Sequence, residues 1–195
     1  MILGLTGQSG AGKSTVASLL AARGFRVIDC DGIVHALSRE RQYAEAIANA
    51  FGRDYLKDGE VNRWRLGALV FSDRTALDRL NETVRPMILA AVLAELTRAK
   101  NDGIPAVLDA PLLFEYGLEK ACDLTLGVIT DTEIAVRRLA ARDGKSEAEI
   151  RGRLASQHDA EYFRTHCDHT IRNDTDSLTL AKNLDRILKT LTLPI

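Results

Sequence analysis

Short apolar runs alternate with stretches of helical spacing along much of the chain. The first two runs, residues 2–6 and 25–28, flank a stretch from Ser14 to Arg23 that has small and apolar residues at helical spacing, with Gly24 after it. Short apolar runs bounded by glycine or aspartate are typical of strands buried on both faces. Strand, glycine-rich turn, helix and strand in this order predict a βαβ unit, and therefore a parallel sheet with right-handed crossovers.

The middle of the chain has a different pattern. Between residues 32 and 102 no convincing strand is present, and helical spacing covers 44–51, 63–71 and 74–100. We expect the last of these helices to be broken at Pro86, because proline removes a helical hydrogen bond and clashes with the preceding turn. This predicts a helical insert, residues 32–102, between the two parts of a core formed by 1–31 and 103–195.

Strand patterns return in the second half, at 106–109, 124–129 and 169–171. Charged helices are predicted over 131–142 and 146–158, and we expect the region 138–165 to form a small lid. A last helix, capped by Thr175 or Asp176, has one apolar face: Leu178, Ala181, Leu184, Ile187, Leu188 and Leu191. Five short strands alternating with helices predict a doubly wound α/β fold.

Composition and charge narrow the class of protein that the chain can be. The 195 residues are 46% hydrophobic and carry a net charge of −1, so nothing suggests a basic surface for nucleic acid. Three widely spaced cysteines, Cys30, Cys122 and Cys167, favour reduced thiols over a disulfide framework. The apolar N-terminus is too short to cross a membrane. We expect a cytoplasmic protein without membrane or nucleic-acid partners, and a monomer or weak homo-oligomer.

The glycine-rich turn after the first strand carries the strongest chemical signal. Residues 7–14 read Gly-Gln-Ser-Gly-Ala-Gly-Lys-Ser, which fits G-x-x-x-x-G-K-[ST]. Such a loop cradles nucleotide phosphates with its backbone N–H groups, and the following helix adds the positive end of its dipole. Lys13 is then predicted to reach the β- and γ-phosphates, and the Ser14 hydroxyl to bind Mg²⁺.

The loop leaves the reaction open, because GTPases, ATPases and small-molecule kinases share it. The guanine-reading N-K-x-D motif is absent, since residues 182–185 read Lys-Asn-Leu-Asp. The short chain and its helical insert favour a nucleotide or metabolite kinase. Two alternatives stay open at this point: a kinase for another nucleoside or small metabolite, and an ATP-dependent switch without an acceptor.

Two carboxylates, Asp29 and Asp31, end the second strand. Ligands of open parallel sheets bind outside the carboxyl ends of the strands, so either side chain could serve an acceptor hydroxyl. The competing interpretation is that Asp31 only caps the following helix. Asp109 ends the third strand as a Walker-B aspartate does and could help to hold Mg²⁺, or it could cap a turn.

Arg138 and Arg142 lie four residues apart and are predicted to share a helix face. In the predicted lid they could neutralise charge on a transferring phosphate, although arginines on a charged helix are often only solvated.

Several segments together make the chain resemble the dephospho-CoA kinase family. The family begins L-T-G-x-x-G-x-G-K-S-T-V-A, and residues 5–17 match it. Its I-D-A-D segment is similar to residues 28–31, and its P-L-L-F-E segment to 111–115. R-L-x-x-R-D, R-[IL]-x-x-Q and I-x-N follow in order at 138–143, 153–157 and 171–173. The matches cover nearly the whole chain.

The resemblance implies transfer of the γ-phosphoryl group of ATP to the ribose 3′-hydroxyl of dephospho-CoA, giving CoA and ADP, with ATP and Mg²⁺ required. It implies that Asp31 is the general base, with Lys13, Arg138 and Arg142 as further catalytic residues and Asp29 as a supporting carboxylate. The nucleotide would be bound by Gly7, Gln8, Ser9, Gly10, Ala11, Gly12, Lys13, Ser14, Thr15 and Asn173. The acceptor would be bound by Asp29, Asp31, Pro111, Leu112, Leu113 and Glu115, and the metal by Ser14 and Asp109. Arg63 and Arg65, which flank Trp64 in the insert, are further candidates to meet the pyrophosphate of this acceptor.

The chain departs from the family at two places. The family commonly has His-Pro in the insert, where this chain has Arg85-Pro86. It also often has a lysine after the glutamine of R-[IL]-x-x-Q, where this chain has Phe163 followed by Arg164. An arginine at either place could still meet an anionic ligand.

Overall fold

The elements of the chain are described in a computed structural model that covers residues 1–190. The first part contains β1 (Ile2–Gly7), α1 (Lys13–Ala21), β2 (Arg26–Asp29), α2 (Cys30–Leu37), α3 (Arg41–Phe51), β3 (Leu56–Lys57), β4 (Glu60–Val61), α4 (Arg63–Ser72) and α5 (Arg74–Asn101). The second part contains β5 (Ala106–Asp109), β6 (Leu124–Ile129), α6 (Thr132–Asp143), α7 (Glu147–Leu154), α8 (Ala160–His166), β7 (His169–Arg172) and α9 (Ser177–Thr190). Short 3₁₀ turns cover Arg53–Tyr55 and Leu118–Ala121.

Five strands form one sheet in the order β2-β5-β1-β6-β7, which confirms the predicted α/β class. The pairs β1–β5, β1–β6 and β6–β7 are parallel. β1 lies at the centre, and Leu3 and Leu5 are buried because helices cover the sheet. Parallel pairing brings the carboxyl ends of β1, β5 and β6 to one edge, so the loops after these strands share that edge.

The chain divides into two compact units. One, here called the core unit, contains Met1–Ile28 and the described chain from Arg98 onward, and with them the five-stranded sheet except Asp29, the last residue of β2. The other, here called the insert unit, is Asp29–Thr97. No helix in the described range is both long and apolar enough to span a bilayer.

The insert unit is not purely helical, so the expectation that it contains no strand was wrong. β3 and β4 form an antiparallel hairpin in which Leu56 pairs with Val61 and Lys57 pairs with Glu60. Asp58 and Gly59 between them have φ angles of +54° and +84°, as tight hairpin turns require. Strands of two residues are too short to show the alternation of apolar and polar positions by which strands are predicted.

The predicted break at Pro86 was also wrong, because α5 continues through this proline. The helix buries Val84, Ile88, Val92 and Leu96, each four residues after the last. A proline inside a helix costs about 3 kcal/mol. A buried apolar side chain contributes about 1.5–3 kcal/mol, so this row of four is enough to offset the cost.

The region predicted to form a lid contains one more helix than the sequence predicted. A single helix over 146–158 was expected, but α7 ends at Leu154 and α8 begins separately at Ala160. Ser146 and Glu149 form a capping box at the start of α7. Asp159 starts α8, because its side chain accepts a hydrogen bond from the backbone N–H of Tyr162.

The last helix is confirmed, with one error on its apolar face. Asp176 accepts hydrogen bonds from the N–H groups of Leu178 and Thr179, so it is the capping residue of the two candidates. Leu184 and Leu188 are buried against the sheet as expected, whereas Leu178 is 74% exposed. The expected position of Leu191 lies outside the described residues.

Candidate active site

The phosphate loop connects β1 to α1, and its path requires glycine at two positions. Gly7 has a φ angle of +153°, and a Cβ there would lie 2.3 Å from the Val128 carbonyl oxygen. Gly12 has a φ angle of +89°, and its Cβ would lie 2.3 Å from Nδ2 of Asn173. Any other residue would therefore displace the neighbouring strand or the Asn173 side chain.

Hydrogen bonds from the surrounding core hold the loop through its carbonyl groups and Gln8. Asn173 is buried, and its Nδ2 donates to the Ala11 carbonyl oxygen at 2.7 Å. Arg138 Nη1 donates to the Gly10 carbonyl at 3.4 Å. The side-chain oxygen of Gln8 accepts from the backbone N–H of Thr130 at 3.0 Å. The structure thus places Asn173 and Arg138 directly on the loop.

The backbone N–H groups of the loop are left available. Within residues 1–190, those of Ser9, Gly10 and Gly12 donate to no protein acceptor. α1 has no side-chain cap at its N-terminus, where the first N–H groups of a helix lack intrahelical partners. Free N–H groups together with a helix dipole form an anion site of the kind that binds nucleotide phosphates.

Lys13 and Asp109 form an ion pair beside this loop. Lys13 Nζ donates to Asp109 Oδ1, and both side chains are largely buried. Asp109 is the last residue of β5 and pairs in register with Leu5 of β1, which places it at the carboxyl edge of the sheet. The pair keeps a lysine and a hard oxygen ligand at the place where the phosphates of a nucleotide would be bound.

Arg138 and Arg142, which were predicted to lie in a lid, have different partners although they share helix α6. Arg142 donates from Nε to Asp143 Oδ1 at 2.7 Å, and Arg153 Nη1 lies 2.9 Å from Asp143 Oδ2. Hydrogen bonds from Arg142, with a further one from Arg153, lower the pKa of Asp143 to about 2. Arg142 is exposed and paired only at the surface, so it is accessible to another anion, whereas Arg138 already lies against the phosphate loop.

Asp29 and Asp31, the two carboxylates predicted to serve the acceptor, lie at the start of the insert unit. Asp29 is at the N-cap position of α2 but makes no capping hydrogen bond, and Asp31 lies in the first turn. The interpretation of Asp31 as a simple cap was therefore wrong. Asp31 is exposed and lines a cavity of about 370 Å³ within the insert unit, together with His35 and Arg63.

The segment after β5 contributes residues of two kinds. Leu113 is fully buried, close enough to Gly4 that a Cβ on that glycine would lie 3.0 Å from Leu113 Cδ2. Leu112 is partly exposed, and Glu115 Oε1 lies 3.2 Å from Nε2 of His158. Pro111 accepts a hydrogen bond from the Thr6 hydroxyl at 3.1 Å. Leu113 packs in the core, whereas Leu112 and Glu115 present their side chains towards the surface.

His35 was not singled out from the sequence. It is exposed, lines the cavity of Asp31 and contacts Arg63, with 3.3 Å between His35 Nδ1 and Arg63 Nη1. Asp31 and His35 are four residues apart on α2, so their shared helix face was a usable signal. The three cysteines form no disulfide, and burial raises the pKa of the Cys122 and Cys167 thiols to about 12, which keeps both protonated.

Comparisons with known proteins agree with one another. A family model described as dephospho-CoA kinase matches residues 1–179. A curated dephospho-CoA kinase of Fusobacterium nucleatum is 35% identical over 192 residues, which are 98% of each chain. A crystal structure of a Thermus thermophilus protein is 34% identical with a TM-score of 0.84, covering 100% of this chain and 98% of that one. The structure of dephospho-CoA kinase from Campylobacter jejuni is 23% identical with a TM-score of 0.73, covering 98% and 96%, and supports the fold.

Proposed function

The chain belongs to the dephospho-CoA kinase family, and we propose that it transfers the γ-phosphoryl group of ATP to the ribose 3′-hydroxyl of dephospho-CoA. The products are CoA and ADP, and the step completes CoA synthesis. The observation that carries the proposal is the phosphate loop, whose N–H groups at Ser9, Gly10 and Gly12 are without protein acceptors among residues 1–190 while its carbonyl groups are held from outside.

The loop binds ATP by its backbone, and Lys13 supplies the cation. When the β- and γ-phosphates are bound, Lys13 exchanges its carboxylate partner Asp109 for phosphate oxygens. This exchange keeps the lysine paired in both states, so its charge is never buried alone. Asn173 fixes the loop through Ala11, and a loop held in its binding conformation needs no ordering when the nucleotide arrives.

The Ser14 hydroxyl and the Asp109 carboxylate are the residues that would hold Mg²⁺. Both are hard oxygen ligands, and Mg²⁺ is commonly held by one or two protein oxygens together with substrate phosphates. The ion supplies neutralisation of the negative charge shared by the β- and γ-phosphates. Asp109 at the strand end keeps its oxygen atoms at the edge of the sheet where the loop lies.

Asp31 accepts the proton of the acceptor hydroxyl. A ribose hydroxyl is a poor nucleophile at neutral pH, and a carboxylate within hydrogen-bond reach orients it and takes its proton as the bond to phosphorus forms. Asp31 suits this role because it is exposed to the cavity of the insert unit. Asp29 is assigned a supporting role in holding the acceptor.

Arg138 and Arg142 neutralise the phosphates during transfer. Arg138 lies against Gly10 of the loop, so it stays close to the bound nucleotide. Arg142 leaves Asp143 for the γ-phosphate, and Arg153 remains to pair with Asp143 when it does so. Exclusion of water by the closed lid would direct the phosphoryl group to the acceptor rather than to hydrolysis.

The test is an ADP-release assay with purified protein, ATP and Mg²⁺, with and without dephospho-CoA. We expect ADP formation to depend on dephospho-CoA. A panel of other nucleosides and small hydroxyl metabolites distinguishes the alternative kinase. A rate independent of every acceptor would contradict the proposal and favour the ATP-dependent switch.

A further inference from the structure

The insert unit contains a second cavity beside the one that Asp31 lines. This second cavity, here called the polar cavity, has a volume of about 690 Å³ and is lined almost entirely by charged and polar residues. The cavity of Asp31, here called the apolar cavity, is lined mainly by aliphatic and aromatic side chains. Ser38, Val61 and Arg63 line both, so the two cavities share a wall.

The guanidinium of Arg63 in this wall is positioned by a hydroxyl group and an imidazole ring. Its Nη2 donates to the Ser38 hydroxyl, and its Nη1 lies 3.3 Å from His35 Nδ1. Within the part of the chain that the structure describes, no carboxylate pairs with Arg63. A guanidinium that is exposed and is not paired with a carboxylate is available to bind an anion with its planar set of donors.

Two further cations line the polar cavity, Arg39 and Lys57, and neither forms an ion pair within residues 1–190. Asp58 and Glu60 line it as well, so the cavity has three cations and two carboxylates. The hairpin β3–β4 supplies Lys57 and both acids. This balance gives a net positive cavity that would accept a phosphate ester but would not hold a dense array of phosphates.

Arg65 provides the contrast within the same helix. Its Nη1 donates to the Asp54 carbonyl oxygen at 3.0 Å, its Nη2 lies 4.0 Å from Asp54 Oδ2, and its guanidinium stacks over the Tyr55 ring at 5.3 Å. It lines neither cavity. Of the two arginines that the sequence offered for a pyrophosphate, only Arg63 lines a cavity, and within residues 1–190 no carboxylate pairs with it.

We propose that the polar cavity is the subsite for the diphosphate of the acceptor, with Arg63 as its principal ligand and Arg39 and Lys57 adding positive charge. The inference rests on the proposed function, because dephospho-CoA joins an adenosine to its pantetheine arm through a diphosphate. The apolar cavity then receives the nucleoside, with its hydroxyl at Asp31. The wall shared by the two cavities corresponds to the junction between nucleoside and diphosphate.

The subsite binds a part of the acceptor that does not react. Such contacts are equal in the ground state and the transition state, so their loss raises KM and leaves kcat nearly unchanged. The site would also select for acceptors that carry a 5′-diphosphate over simple nucleosides. Asp31, which acts on the reacting hydroxyl, should show the opposite kinetic pattern.

The experiment compares Arg63→Gln with Arg65→Gln in steady-state assays at saturating ATP. For Arg63→Gln we expect the KM for dephospho-CoA to rise about 10- to 100-fold, as the loss of one or two charge-assisted hydrogen bonds implies. Its kcat and KM for ATP should stay within about twofold. Arg63→Lys should recover only part of the affinity, because lysine keeps the charge without the fork.

Arg65→Gln is the matched control, since it removes the same group two residues away. It should leave the KM for dephospho-CoA within about twofold, and thermal melts of both variants show that each is folded. A second readout is the inhibition constant of adenosine, competed against dephospho-CoA. Because adenosine has no diphosphate, Arg63→Gln should not change it.

Three results would overturn the subsite: equal KM values for the two folded variants, a fall in kcat alone for Arg63→Gln, or an equal loss of adenosine and dephospho-CoA binding. A failure of the proposed function is recognised separately, because the unmodified protein would then phosphorylate no dephospho-CoA. The kinetic constants of both variants are therefore compared with those of the unmodified protein, once its activity on dephospho-CoA has been measured.

Discussion

The core unit and the insert unit present their candidate sites in two different ways. In the core, a short loop between β1 and α1 offers backbone N–H groups, and only glycine fits at Gly7 and Gly12. In the insert, side chains from α2, α4 and the hairpin β3–β4 line two cavities. In the proposed function, the core unit would bind phosphates with its main chain, and the insert unit would bind the acceptor with side chains that are dispersed in the sequence.

This difference explains why the core site can be recognised as a sequence motif, whereas the insert site cannot. A backbone site constrains consecutive positions, because each φ angle and each close approach restricts the residue type there. A side-chain site constrains a few positions that are far apart in the sequence, such as Asp31 and Arg63. The two units should therefore respond differently to substitution, with larger losses where one residue serves the reacting phosphate.

The largest effect is expected at Lys13 in the core unit. Lys13→Ala removes the cation on the β- and γ-phosphates, and we expect kcat to fall by roughly 10³-fold or more, which is about 4 kcal/mol of transition-state stabilisation. Steady-state kinetics and a thermal melt measure the two consequences. A folded Lys13→Ala protein with near-normal turnover would show that this loop is not the catalytic phosphate site.

Asp31 in the insert unit should come next. Asp31→Asn keeps the shape of the side chain but removes its charge, and we expect turnover to fall by roughly 10²-fold with little change in dephospho-CoA binding. Asp29→Asn is the matched variant and should be milder. Kinetics combined with a direct binding titration test this pair. If Asp29→Asn alone lost turnover, the two carboxylates would have the opposite roles, and if both stayed active the assignment of the base would fail.

Arg142 tests whether the lid acts during transfer. Arg142→Ala should lower kcat by some tens of fold and change the KM for ATP less, because a guanidinium meets the greatest charge at the transition state. Arg142→Lys should restore only part of the rate. A change confined to the KM for ATP would assign Arg142 to ground-state binding instead.

The smallest effect is expected for two glycine-to-alanine substitutions. Comparing them separates the cost of backbone strain from the effect of a changed loop shape on ATP binding. Gly12→Ala and Gly24→Ala place a side chain at nearly equal φ angles, +89° and +87°, but only the Cβ at residue 12 meets Asn173. Both should lose about 1–2 kcal/mol of folding stability from the left-handed conformation. Only Gly12→Ala should also weaken ATP binding, by about 10-fold, because displacing Asn173 removes its hydrogen bond to Ala11. Equal ATP affinities in the two variants would contradict the backbone account of the core site.

Much of the core could be predicted from its sequence. The strands at 106–109 and 124–129 match the structure at both ends, because fully buried parallel strands are continuous apolar runs. The insert was less predictable. The passage of α5 through Pro86 depends on burial of Val84 and Ile88, which is a property of the folded state and not of the local sequence.

The candidate sites of the two units also differ in how far the sequence could predict them. The partners Lys13 and Asp109 were each singled out from the sequence, but their ion pair joins residues 96 positions apart and needed the sheet register to be seen. The choice between Arg63 and Arg65 could not be made from the sequence, since both flank Trp64 at a helix start. It depends on Asp54 and Tyr55, which engage Arg65 and leave Arg63 at the cavities.

The most direct test of the central claim is the identity of the phosphorylated product. Purified protein is incubated with ATP, Mg²⁺ and dephospho-CoA, and the products are separated and compared with authentic CoA by mass and by phosphorus NMR. The account predicts a single new phosphate monoester on the ribose 3′-oxygen, formed in equal amount to ADP. ADP and inorganic phosphate with dephospho-CoA unchanged, or a phosphate on another oxygen, would contradict it.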